Sequence, residues 1–202
     1  GREDLRDQTT ITIDPPDARD YDDAISLRRN DDGTVTLGVH IADVSHFVAE
    51  GAELDAEARR RGNSTYFPRR VVPMLPEILS NDVCSLQEGQ PRLAQSAFIT
   101  YDADAKVTGT RLAETVLRSS KRLTYRQAQD VIDGKSIEGV GKKVAKLLHD
   151  LHGLARRIER RRREAGMLHL DLPEVELVFD AEDNVVDAHP EDPEYTHTII
   201  EM

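Results

Sequence analysis

Five carboxylates lie within ten residues near the start of the chain, and this stretch offers the clearest basis for chemistry in the sequence. Like charges at this spacing repel one another, so each carboxylate needs full hydration or a counter-charge. The stretch is therefore either a solvated acidic turn or a site that binds cations, and the residue types alone leave both interpretations open. The five residues are Asp14, Asp17, Asp20, Asp22 and Asp23.

The acidic stretch suits hard divalent cations. Mg²⁺ binds carboxylate oxygens and keeps water molecules that the phosphates of a substrate can replace. Pro15 and Pro16 exclude a helix and set a turn that would let Asp14 fold back toward Asp20. In a two-metal site the ions lie about 3.5–4 Å apart, activate a water and stabilise the leaving oxygen of a displacement at phosphorus. The carboxylates that could approach one or two such ions are Asp14, Asp20, Asp22 and Asp23.

Other ligand sites fit the sequence less well. An EF-hand frame begun at Asp20 places Ile25 where glycine is required and Asp31 where glutamate is expected, although a Ca²⁺-binding module stays open as a third possibility. The sequence shows no glycine-rich phosphate loop and no histidine or cysteine pairs with zinc spacing. The single cysteine, Cys84, excludes an internal disulfide and favours a reducing cytoplasm.

Length and composition indicate one globular domain. The chain has 202 residues, of which 32% are charged and 38% hydrophobic, and no apolar run approaches the roughly 20 residues that span a membrane. The net charge of −11 argues against a general nucleic-acid surface, although arginines concentrate at 59–70 and 156–163. We interpret most of the second group as a solvated helix end. Because the chain begins without methionine, we expect it to be part of a longer protein.

The hydrophobic pattern predicts strands on both sides of the acidic stretch and helices later in the chain. Thr124 followed by Gln127 is a capping box, and apolar residues three and four apart mark a long amphipathic helix that ends before Gly166. Strands and helices mix without βαβ regularity, which favours an α+β fold. We predict a loop over 63–76 and strands over 9–13, 24–29, 34–42, 93–101, 106–118, 175–179 and 185–189. We predict helices over 52–61, from 124, over 141–165 and from about 196.

Four segments, in order and spacing, resemble the ribonuclease II/ribonuclease R family. They read IDPPDARDYDDA over 13–24, VHIADVSHFV over 39–48, RGNSTYFP over 61–68, and PMLPEILS over 73–80 followed by CSL at 84–86. The resemblance implies a mainly antiparallel mixed sheet with flanking helices, as the N-terminal part of an RNB-type catalytic domain over 11–202, with 1–10 as a leader or linker. It also implies a hydrolytic 3′→5′ exoribonuclease that releases 5′-nucleotides from single-stranded RNA with Mg²⁺, or Mn²⁺ as an alternative.

The resemblance also assigns residues by motif. Asp14, Asp20, Asp22 and Asp23 resemble the metal-binding and catalytic carboxylates, whereas Asp17 occupies a variable position. Three further residues are expected to bind substrate. Tyr66 resembles the aromatic residue that stacks on the 3′-terminal base, and stacking contributes about 1–3 kcal/mol per base. Tyr125 resembles a residue near the ribose, and Glu201 resembles a carboxylate that senses the 2′-hydroxyl, a group that DNA lacks.

The sequence also departs from the family pattern. Leu170 stands where an aromatic residue often completes a sandwich around the terminal base, and Glu201-Met202 replaces a pair of glutamates. The family's arginine-rich catalytic segment and its cold-shock and S1 RNA-binding domains lie outside these residues, so we expect the chain to hold the metal half of an active site. The alternative is a catalytically silent RNA-binding relative or scaffold. The complete set of aspartates argues against it.

Overall fold

A seven-stranded mixed sheet dominates the computed structural model, which describes residues 1–67, 70–168, 175–180, 182, 184–190 and 197–200. The strands of this sheet are β1 Glu3–Leu5, β2 Ile11–Asp14, β3 Asp23–Arg29, β4 Val35–Ala42, β7 Pro91–Tyr101, β8 Val107–Arg118 and β9 Lys121–Thr124. Their order in the sheet is β1-β8-β7-β4-β3-β2-β9, in which β1–β8 and β2–β9 pair in parallel and the other neighbours are antiparallel.

Helices and two small hairpins complete the fold, so the predicted α+β class with a mainly antiparallel sheet is confirmed. A 3₁₀ turn at Val44–His46 and a π-helical turn at Leu79–Val83 lie in the connections. The hairpins are β5 Thr65–Phe67 with β6 Arg70–Val72, and β10 Val175–Phe179 with β11 Val185–Pro190. The α-helices are α1 Glu53–Arg61, α2 Tyr125–Ile132, α3 Lys142–Glu164 and α4 His197–Ile200.

The main core lies between one face of the sheet and the helices α2 and α3. Thr124 caps α2, accepting from the backbone N–H of Gln127 while the Gln127 side chain accepts from Thr124, so the predicted capping box is confirmed. The apolar stripe predicted for the long helix is the buried face of α3, and it packs on strand residues such as Ile11 and Leu37. Its buried residues are Val144, Leu147, Leu148, Leu151, Leu154, Ala155 and Ile158.

A buried histidine fixes the middle of the sheet on the opposite face. The imidazole of His40 hydrogen-bonds Ser26 Oγ at 2.8 Å and Ser96 Oγ at 2.7 Å, so both ring nitrogens are paired. Burial lowers the pKa of His40 to about 4, so the ring is neutral at physiological pH. A side chain at Gly38 would collide with the hydrogen-bonded Ser26 and His40, since a Cβ there would lie 2.5 Å from Ser26 Oγ. The network holds β3, β4 and β7 together beside the acidic loop.

Two regions differ from the sequence expectation. Residues 3–5, which we predicted to precede the domain, form β1 in the main sheet, where Leu5 is buried and Arg2 pairs with the buried carboxylate of Asp43 at 2.5 Å. The predicted loop over 63–76 contains the β5–β6 hairpin. The prolines around it suggested an irregular segment, whereas the β-branched and aromatic residues of its two short runs favour paired strands.

Within the described residues, no helix is both long enough and apolar enough to cross a membrane.

Candidate active site

The acidic loop joins the ends of two neighbouring strands. Asp14 is the last residue of β2 and Asp23 the first of β3, so two neighbouring strands of the sheet carry the carboxylates at the two ends of the loop. The intervening residues 15–22 contain no regular secondary structure. The hydroxyl of Ser85 accepts from the Tyr21 N–H at 3.1 Å and donates to the Arg19 carbonyl at 2.8 Å. The loop is therefore tied to the buried segment that follows the π-helical turn.

A cleft of about 730 Å³ opens between this loop and residues 64–66, 71–73 and 77–81. Four predicted site residues, Asp14, Asp20, Asp22 and Asp23, all line it, and Tyr66 lies on its opposite wall. Among the described lining residues, Arg19 is the one cation, so the cleft is strongly acidic. Sequence reasoning assigned no role to several further lining residues. Ser64, Glu77 and Ser80 lie in the motif segments, whereas Val71 and Asn81 lie close to them in sequence.

Asp14 is the most unusual carboxylate of the cleft. It is only 7% exposed, and its Oδ2 atom has no hydrogen-bond partner among the described residues. Burial raises its pKa to about 6, and the charges of Asp23 and Asp20 act in the same direction. A buried, unpartnered acceptor is costly to ionise, so Asp14 is poised to gain from a nearby cation.

The neighbouring carboxylates Asp22 and Asp23, like Asp14, have raised pKa values. Desolvation raises the pKa of Asp23. The pKa of Asp22, which is exposed to the cleft, is raised by partial desolvation and by the charges of Asp20 and Asp23. In the described part of the chain, no lysine or arginine lies within ion-pair distance of these aspartates. Crowded carboxylates without a protein counter-charge suit a divalent cation.

The orientation of the carboxylates limits how many could hold a single ion. Among the described residues, no three side chains of Asp, Glu, His or Cys converge closely enough to form a ready-made metal site. The carboxylates surround the cleft instead of meeting at one point. This donor set still fits Mg²⁺, which binds through one or two carboxylates and fills its other positions with water or phosphate oxygens.

Tyr66 connects the β5–β6 hairpin to the acidic loop. Its ring is 64% exposed, and its hydroxyl donates to Asp20 Oδ2 at 2.8 Å. This hydrogen bond raises the pKa of the Tyr66 phenol, with smaller effects from desolvation and the charge of Asp20. An exposed aromatic face at the edge of an acidic cleft is suited to stacking on a nucleic-acid base.

Of the other two predicted substrate residues, Tyr125 is not among the described residues that line the cleft. Tyr125 is the first residue of α2 and packs partly against the main core. Tyr125 directly follows Thr124, which pairs with Asp14 where β9 lies beside β2. Tyr125 is therefore close to the cleft, although it is not one of the described residues that line it. Glu201 lies outside the described residues, as does Leu170.

Comparison with known proteins assigns this chain to one family. The model of the RNB domain matches residues 2–202. Ribonuclease R of Thermotoga maritima is 41% identical over 191 residues, covering 94% of this chain and 27% of that protein. Ribonuclease R of Escherichia coli is 40% identical over 183 residues, covering 90% of this chain and 22% of that protein. The structure of Mycoplasma genitalium RNase R in complex with ribose-methylated single-stranded RNA matches with a TM-score of 0.94 at 32% identity.

The chain therefore belongs to the RNB-domain family, and the predicted resemblance is confirmed. The Mycoplasma structure covers 99% of this chain, and this chain covers 31% of that structure. The chain likewise spans between about a fifth and a third of the length of the ribonuclease R relatives it matches.

Proposed function

We propose that this protein is a hydrolytic 3′→5′ exoribonuclease that degrades single-stranded RNA to 5′-nucleoside monophosphates with Mg²⁺, or Mn²⁺ in its place. The observation that carries the proposal is the buried Oδ2 of Asp14, which has no described partner in a cleft lined by further carboxylates. Family membership supports the ribonuclease class, since relatives that match most of this chain are named ribonuclease R. The lone buried cysteine fits a cytoplasmic setting.

The residues of the cleft would divide the work between strands and loop. Asp14 and Asp23, fixed by the ends of β2 and β3, and Asp20 and Asp22 on the loop would hold the cations. Bound there, Mg²⁺ supplies a Lewis acid that lowers the pKa of water and stabilises the charge that develops at phosphorus. Tyr66 would stack on the 3′-terminal base and so place the last phosphodiester above these carboxylates.

Two predicted contacts extend this proposal to the sugar. Tyr125, beside the Asp14–Thr124 pair of β2 and β9, would approach the ribose of the bound strand. Glu201 would accept a hydrogen bond from the 2′-hydroxyl, which distinguishes RNA from DNA. Cold-shock and S1-type domains elsewhere in the longer protein would bind the upstream RNA.

Removal of divalent metal is expected to abolish hydrolysis. When the full-length protein is incubated with 5′-labelled single-stranded RNA and Mg²⁺, we expect a ladder that shortens to a small end product. EDTA should stop the ladder, and excess Mg²⁺ should restore it, because the carboxylates provide no substitute for the cation. RNA binding with no cleavage in Mg²⁺ would support the scaffold alternative, and cleavage that persists in EDTA would contradict the metal site.

Removal of the Tyr66 ring should weaken binding of the 3′ end of the RNA in the cleft. We expect Tyr66→Ala to raise KM for short RNA by about 5- to 100-fold, because stacking contributes about 1–3 kcal/mol per base. Steady-state kinetics on a series of short oligonucleotides measures this effect and any lengthening of the end product. Phe67→Ala is the matched control, since Phe67 is the next residue, is 56% exposed and does not line the cleft. Equal effects of the two variants would contradict the stacking role.

A further inference from the structure

Arg122 reaches the acidic loop from a strand that is distant in sequence. It lies in β9 opposite Thr12 of β2, two residues before the position that pairs with Asp14. Its Nη2 atom donates to the carbonyl of Pro15 at 2.5 Å and to that of Pro16 at 3.1 Å. These two carbonyls belong to the turn that directly follows Asp14, so the guanidinium fixes the first arm of the loop.

The same guanidinium also contacts the second arm of the loop. Its central carbon lies 5.5 Å from the ring centroid of Tyr21, which stands between Asp20 and Asp22 in sequence. This distance allows a cation–π contact. One side chain thus touches both arms, while Ser85 holds only the second arm.

The position of Arg122 is itself well fixed. Its backbone N–H donates to the carboxylate of Glu88 at 3.0 Å, and β9 is paired along its length with β2. Its Nε atom is buried without a hydrogen-bond partner among the described residues, so this nitrogen carries a desolvation cost that the other contacts of the guanidinium must offset. A side chain that is fixed by its contacts is better suited to positioning a loop than a charged side chain that is free in solvent.

We propose that Arg122 is the positioning residue of the acidic loop. Through its hydrogen bonds to the Pro15–Pro16 turn and its contact with the Tyr21 ring, it holds the loop carboxylates in the arrangement that binds the cation. This inference rests on the proposed function, since it assigns Arg122 to the same metal site. Arg122 touches no metal or substrate in this role and acts through the loop.

The direction of the effect separates positioning from simple charge. The positive charge of Arg122 lies beside the loop that carries the carboxylates, and by itself it would repel a bound cation. If Arg122 contributed charge alone, its removal would strengthen metal binding. If it positions the loop, its removal weakens metal binding even though a repelling charge has been removed.

The test is Mn²⁺ binding to the 202-residue chain, measured from the electron paramagnetic resonance signal of the free ion. We expect Arg122→Gln to raise the dissociation constant by about tenfold or more and Arg122→Lys by about threefold, since lysine keeps the charge but lacks the planar fork of donors. Arg118→Gln, which removes an exposed guanidinium at the end of β8, should change it by less than about twofold. Thermal unfolding of each variant shows whether it is folded, and Arg122→Lys carries the test if Arg122→Gln is not.

Each outcome has a definite meaning. Unchanged or tighter Mn²⁺ binding by folded Arg122→Gln, or wild-type binding by Arg122→Lys when Arg122→Gln is unfolded, would overturn the positioning role while leaving the metal site intact. Absence of saturable Mn²⁺ binding in the wild-type chain would overturn the proposed function, and this inference with it. In RNA hydrolysis, positioning predicts that Arg122→Lys lowers kcat at a given Mg²⁺ concentration, leaves KM for RNA unchanged, and is partly rescued by more Mg²⁺.

Discussion

Replacing Asp22 by asparagine is expected to reduce RNA hydrolysis by about a thousandfold or more, with little change in RNA affinity. Asparagine matches the shape of the carboxylate but removes the negative charge that would hold a cation in the cleft, and metal stabilisation of a phosphoryl transition state amounts to several kcal/mol. RNA binding should persist because Asp22 contributes no attraction to phosphate, and loss of an anion reduces repulsion. Single-turnover hydrolysis and fluorescence anisotropy with labelled RNA measure the two quantities separately.

Asp17→Asn provides the matched control for this prediction. Asp17 lies on the same loop and lines the same cleft, but it is exposed and occupies the position that the resemblance leaves without a role. The chemical change is identical in the two variants. We expect Asp17→Asn to retain activity within about threefold, as for most surface substitutions. Full activity of Asp22→Asn in Mg²⁺ would contradict the role of the acidic cleft.

Replacing Asp14 by asparagine is expected to stabilise the metal-free protein. The folded-state pKa of Asp14 is about 6, above its ordinary value of 3.8, so the folded state resists ionisation of this carboxylate. The resulting penalty is fully present well above pH 6 and shrinks as the pH falls, and it disappears only below about pH 3, where the side chain is protonated in both states. We expect Asp14→Asn to raise the free energy of unfolding by about 1–2 kcal/mol at pH 7.5 in EDTA and by less than about 0.5 kcal/mol at pH 4.

Divalent metal should reverse this order of stability. Mg²⁺ that binds the native cleft stabilises the wild-type protein by mass action, and the Asp14→Asn variant loses much of that gain. Denaturant unfolding in EDTA and in Mg²⁺, at pH 7.5 and at pH 4, gives the four values required. The exposed Asp17→Asn again serves as control, with no expected dependence on pH or metal. A lower stability of Asp14→Asn in EDTA at pH 7.5 would contradict the interpretation of Asp14 as a buried anion whose Oδ2 atom has no described partner.

Strongly periodic segments of the fold could be predicted from the sequence. The buried face of α3 is fixed by apolar residues three and four apart, and the start of α2 by the side chain of Thr124. The two long strands of the β7–β8 hairpin were also predicted, and Asp102 forms the turn between them, where its Oδ1 atom accepts from the N–H groups of Asp104 and Lys106. These signals are local, so they are visible along the chain.

Pairings between distant segments could not be predicted in this way. The parallel pairing of β2 with β9 joins residues more than a hundred positions apart, and it alone brings Arg122 to the loop after Asp14. The three residues of β1 are too short for a periodic signal, and their place at the edge of the sheet depends on β8. Such contacts depend on the three-dimensional packing of the whole sheet.

The candidate site shows the same division. The four aspartates followed from their spacing and from the motif they resemble, and the structure gathers all four around one cleft with Tyr66. The sequence did not predict the hydrogen bond from Tyr66 to Asp20 or the hydrogen bond from Ser85 to the loop. Both bonds join segments that are separated by irregular loops. The roles of the four aspartates and Tyr66, like those of Tyr125 and Glu201, remain predictions.

Mn²⁺ binding to the wild-type chain tests most directly whether the acidic cleft holds the cations of an RNA-hydrolysing site. The measurement is a titration followed by the electron paramagnetic resonance signal of the free ion, with Mg²⁺ as a competitor. We predict saturable binding of about one or two ions, displaced by Mg²⁺ and strongly weakened by Asp22→Asn. An absence of saturable binding, or equal binding by Asp22→Asn and the wild-type chain, would contradict a cation site in this cleft.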